Sequence, residues 1–102
     1  MADDIQSRPT PWKTVLLVCG KCTRKMDGGF GPKGKDTLKS ALRSGLQSRG
    51  QRREVTVIET RCMGICPKKA VTVLNADCPW SILTVPRKTE TDAVLARLME
   101  RP

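Results

Sequence analysis

Residues 14–18, TVLLV, form an uninterrupted apolar run rich in β-branched side chains, the pattern of a buried strand. It runs directly into Cys-Gly-Lys-Cys. The Gly- and Lys-rich stretch 23–35 that follows reads as a loop. Asp36 is then the expected N-cap of a helix with apolar positions Leu38, Ala41, Leu42 and Leu46, stopped at Arg49 and Gly50. After a polar, basic connection at 47–53, residues 54–60, EVTVIET, alternate polar and apolar as a strand does. Two further strands are expected at 71–74 and 81–85, separated by the turn NADCPW, with Pro86 ending the second. Thr89 begins a last helix with Asp92 as a near capping box and Val94, Leu95, Leu98 and Met99 as its apolar face.

The predicted order is β-α-β followed by β-β-α. Strands one and two, joined by a helical crossover, are expected to lie parallel, with the crossover right-handed. Their carboxyl ends then share one edge of the sheet. Strand one ends at Cys19 and strand two just before Cys62, so Cys19-x2-Cys22 and Cys62-x3-Cys66 meet at one rim. The third strand must run back, which puts Cys78 at the far end. No internal repeat or second domain is visible, and the division expected is a flexible N-terminal segment at 1–12 and one domain at 13–102.

Composition narrows the chemistry. The chain of 102 residues is 38% hydrophobic, with two Trp and one Phe, so its core is built from Val, Leu, Ile and Ala. No apolar run reaches the ~18 residues that span a bilayer, and the N-terminus lacks the basic-then-apolar pattern of a secretory signal. The expected compartment is the cytoplasm, where thiols stay reduced, and the five cysteines point to metal or redox chemistry rather than disulfides. The absence of histidine excludes mixed Cys/His zinc sites, Rieske clusters, His-ligated haem and His-dependent triads. The net charge of +9 suits a solvated face, an acidic protein partner or nucleic acid. Nucleic acid is set aside, because three aromatics show no stacking pattern. Residues 29–36, GFGPKGKD, nearly spell a phosphate-binding loop, but Asp36 stands where a hydroxyl is needed and Pro32 removes an N–H.

Two tight cysteine pairs let four thiolates converge on one metal centre. Gly20 and Gly64 tolerate the positive φ that close approach requires, and Pro67 stiffens the exit from the second pair. Lys68 and Lys69 flank a site that turns negative once the thiols ionise. Four cysteines hold zinc or an iron–sulfur cluster. A chain with its own four-strand, two-helix core does not need zinc to fold, which leans toward a cluster. Cys19-Gly-Lys-Cys22 is also the pattern of a dithiol oxidoreductase. That motif ordinarily opens a helix, whereas here it is expected to open a loop.

The segments LLVCGKC and VIETRCMGICPKKAVTVL resemble the thioredoxin-like [2Fe-2S] ferredoxins, over roughly residues 14 to 100. That resemblance implies an α/β, thioredoxin-like fold: a four-stranded mixed sheet in element order β-α-β-β-β-α, with the helices packed on it. It further implies a [2Fe-2S] cluster on Cys19, Cys22, Cys62 and Cys66. The resemblance implies an electron carrier rather than an enzyme, serving redox partner proteins, with a homodimer allowed; the basic charge suits a partner of acidic character, and the lack of a long apolar run points away from membranes. The family's second cysteine often sits further along its loop, and here Cys22 is the only thiol between Cys19 and Cys62. The competing functions are a four-cysteine zinc-binding interaction module and a Cys-x2-Cys dithiol oxidoreductase.

Overall fold

The computed structural model describes residues 5–65 and 67–99. Cys66 and parts of both termini lie outside the described residues, including the first four positions of the expected N-terminal segment. The chain order is β1 (Thr14–Cys19), α1 (Gly20–Met26), α2 (Leu38–Ser48), β2 (Val55–Thr60), β3 (Ala70–Asn75), β4 (Leu83–Pro86) and α3 (Thr91–Leu98). The strands form one mixed sheet in the order β2-β1-β3-β4. β1 and β2 are parallel, while β1–β3 and β3–β4 are antiparallel. The protein is thus α/β with a four-stranded mixed sheet, as the hydrophobic pattern predicts, and the described residues form three helices rather than two.

Burial explains the arrangement. In the centre of the sheet, Leu16, Val18, Val71 and Val73 are fully buried, and they join Val57 with Leu42, Leu46, Leu95 and Leu98 of the longer helices in one core. α2 packs on β2 and on α3. A Cβ on Gly45 would stand 2.9 Å from side-chain carbons of both Leu95 and Thr91, so the glycine sets how closely the two helices approach.

Two helix starts differ from expectation. Thr37, not Asp36, caps α2, its side chain accepting from the Ser40 N–H at 3.2 Å. Asp36 instead exchanges backbone hydrogen bonds with Phe30, of 2.9 and 3.0 Å. The last helix begins at Thr91 with Glu90 as an uncapped N-cap. The Thr89 hydroxyl donates to the Pro86 carbonyl at 2.7 Å instead, closing the turn that leaves β4. Among the described residues no helix is long and apolar enough to cross a membrane.

The Gly-rich loop is anchored. Asp27, Gly28 and Gly29 take positive φ in succession, 51°, 100° and 97°, which stops α1 and turns the chain. Phe30 then enters the core with 1% of its surface exposed. Phe30→Ala should cost roughly 3–5 kcal/mol, the usual loss for emptying a buried aromatic site. Urea unfolding with an unchanged m-value measures it, and a loss below about 1 kcal/mol would show that the ring contributes no core packing.

Candidate thiolate site

The site is assembled by strand register. Parallel pairing sets Cys19 of β1 against Thr60 of β2, so Cys62 follows just past the same edge. The Thr60 hydroxyl lies 3.5 Å from the Val18 carbonyl across the pair. A Cβ on Gly20 would come within 2.8 Å of the Thr60 carbonyl, so only glycine lets the chain after Cys19 press against the end of β2. Its role is close approach, since Gly20 is not among the positive-φ glycines; Gly64 is, at 86°.

Cys19 is also the N-cap of α1. Its Sγ accepts from the Cys22 N–H at 3.5 Å, and Thr23 Oγ1 donates to its carbonyl at 2.9 Å. This corrects the expected loop at 23–35. Residues 21–26 are mostly good helix formers, with Arg24 and Lys25 in the last turn beside the exposed carbonyls, and the glycines begin only at 28. Cys19-Gly-Lys-Cys22 therefore does open a helix, which withdraws one objection to dithiol chemistry.

The second cysteine loop is tied to the first at two points. Met63 packs half-buried against the core, and its N–H is among the groups that hold the Cys19 thiol pKa down. Thr72 of β3, fully buried, donates its hydroxyl to the Ile65 carbonyl at 3.0 Å. The same oxygen lies 3.9 Å from Cys22 Sγ. Thr72 thus links Cys22 to the residue preceding Cys66. The Gly64 N–H turns back onto Cys62 Sγ at 3.4 Å.

Cys19 is fully buried and Cys22 is 4% exposed, whereas Cys62 is exposed. Burial pushes the Cys19 thiol toward higher pKa, but donors outweigh it: the N–H and thiol of Cys22, then the N–H groups of Met63 and Lys21. The net shift is downward, favouring thiolate. Cys78 is elsewhere. β3 runs antiparallel to β1 and sets Asn75 opposite Leu16, so Cys78, whose N–H donates to Asn75 at 2.8 Å, lies at the far end of the sheet. Among the described residues no three Cys, Asp or Glu side chains are gathered tightly enough to hold one ion. The fourth thiol, Cys66, lies outside them. The donor set nonetheless fits a thiolate-ligated group, since backbone N–H groups aim at two of the sulfurs and stabilise their charge.

Sequence reasoning missed Met63 and Thr72. Thr72 did carry a signal, as the one hydroxyl in the apolar run AVTVL entering the last cysteine's neighbourhood. Comparison with protein-family models, with curated proteins and with solved structures found no match.

The Cys19 shift gives a pH dependence. With its pKa lowered by folding, the thiol adds stability fully above the ordinary thiol value and loses it as pH falls through the folded value. The Tm of the reduced, metal-free chain should rise with pH between those limits, and Cys19→Ser should flatten the rise. Parallel profiles for parent and variant would show that this thiol is not its source.

Proposed function

We propose that the chain is a small electron carrier holding a [2Fe-2S] cluster on Cys19, Cys22, Cys62 and Cys66. The observation that carries this reading is the tie between the two cysteine loops through Thr72, whose hydroxyl oxygen lies 3.9 Å from Cys22 Sγ and donates to the Ile65 carbonyl at 3.0 Å. When bound, the cluster supplies one reversible electron and no bond chemistry. The chain's own part is to present thiolates, aim N–H donors at the sulfurs and bury Cys19 and Cys22 from water. The sheet order β2-β1-β3-β4, with one parallel and two antiparallel pairings, is compatible with a thioredoxin-like fold, and we read it so. The cytoplasm is the compartment that suits reduced thiols.

One observation favours the dithiol reading: Cys19 caps a helix and has lowered pKa. Access weighs against it. Thiol–disulfide exchange needs an approachable sulfur, and both Cys19 and Cys22 are buried. A zinc-binding module is less favoured, because the core that runs from Leu16 to Leu98 is formed by apolar side chains and needs no metal to close.

Anaerobically purified protein should be reddish-brown, bleach on reduction and contain iron and acid-labile sulfide. Colourless protein with stoichiometric zinc would overturn the cluster. Metal-free protein cycling between dithiol and disulfide at Cys19 and Cys22 would establish the oxidoreductase instead. Cys66→Ser should abolish or strongly alter the visible spectrum, while Cys78→Ser should leave iron content unchanged. The reverse pattern would overturn the ligand set.

A further inference from the structure

Beside the thiolate rim, between α1 and the adjoining ends of β3 and β4, lies a half-open pocket of about 770 Å³. Three segments each contribute two cations to its wall: Lys21 and Lys25 from α1, Lys68 and Lys69 before β3, Arg87 and Lys88 after β4. Strand register makes the last two pairs neighbours, since Ala70 faces Pro86. Among the described residues no acidic side chain lines the pocket. Among the described residues the ion pairs are Lys13–Glu54, Arg24–Glu59 and Arg49–Asp92, so none of the six pocket cations has a carboxylate partner.

The backbone adds a second observation. Among the described residues the non-glycine positions with positive φ are Asp27, Lys69 and Lys88, at 51°, 56° and 67°. Two of the three are therefore pocket lysines. A left-handed turn position is more easily filled by Gly or Asn, so lysine there places charge against backbone preference. Both turns are held in place: Lys88 N–H donates to the Gly29 carbonyl at 2.7 Å, and Arg87 N–H to the Lys69 carbonyl at 3.3 Å.

We propose that this pocket is the docking surface for an acidic segment of a protein partner. Six unpaired cations demand anions, and the floor selects their kind. Met26, Pro67 and Ala70 give it an apolar strip that suits the stems of Glu and Asp side chains. A polyphosphate has no use for such a strip, and a nucleic acid would want a stacking ring, which the pocket lacks. Cys22 stands in the same wall, so a segment seated here lies against one of the proposed cluster ligands. That the partner is a redox protein rests on the cluster reading; the surface itself does not.

The test titrates the purified protein, as isolated, with a hexaglutamate peptide at low ionic strength and follows backbone amide shifts. The shifts should concentrate at α1 and the two turns, and affinity should fall as salt rises. Lys21→Gln, Lys25→Gln and Lys68→Gln combined, all at exposed positions outside the left-handed turns, should weaken binding at least ~10-fold, from three surface charge pairs. Arg52→Gln with Arg53→Gln, at the start of β2 and the opposite end of the sheet, should change it little. Equal loss in both variants, or shifts spread over the whole basic surface, would overturn the proposal. So would tripolyphosphate binding in the pocket when hexaglutamate does not. Iron and sulfide are assayed on the same sample. A colourless protein that still binds the peptide at the pocket upholds the docking surface and removes only the redox identity of the partner.

Discussion

The parallel pairing of β1 with β2 is the constraint on which the rest depends. Parallel neighbours end on the same edge, so the last residue of one strand and the loop after the other are brought together from distant parts of the chain. The register is not free to slide. A one-residue slip would turn Val57 and its alternating neighbours to the other face of the sheet, away from Leu16 and Val18. The apolar core thus fixes where Cys19 and Cys22 stand, since both belong to it. Gly20 is the local condition for this, since any side chain there would push α1 off the end of β2.

What the sequence made legible follows from what periodicity can carry. Strand existence, strand direction and the remoteness of Cys78 are set by hydrophobic alternation and short connections, and these lie on the surface of the sequence. α1 did not, because a seven-residue helix has too few turns to show an apolar period, and its neighbours are glycines. Thr37 took the cap from Asp36 because Asp36 was needed in the bridge with Phe30, a contact between residues whose pairing depends on the turn between them. The basic pocket was invisible for a different reason. Lys68 and Arg87 are far apart in the chain and become neighbours only through antiparallel register.

Two forces act on Cys19 in opposite directions. Burial penalises its charge, while N–H donors from α1 and from Met63 favour it, and the donors prevail. A thiolate favoured in this way but shut from solvent is poorly suited to attack a disulfide carried by another protein. It is well suited to bind a metal centre that stays in place. The two halves of the argument come from different parts of the structure: acidity from the helix start and the second loop, inaccessibility from the core.

Charge gives the arrangement its direction. In the four-thiolate site proposed above, negative charge would gather at one rim, and the flanking lysines at 68 and 69 would partly offset it. Offset alone does not account for the pocket, because cations from α1 and from the turn after β4 join the two lysines in its wall. Among the described residues, Cys22 lines the pocket together with the six cations, and Cys62 does not. On the docking proposed for the pocket, an acidic segment is drawn to the flank where the buried Cys22 lies rather than to the exposed Cys62.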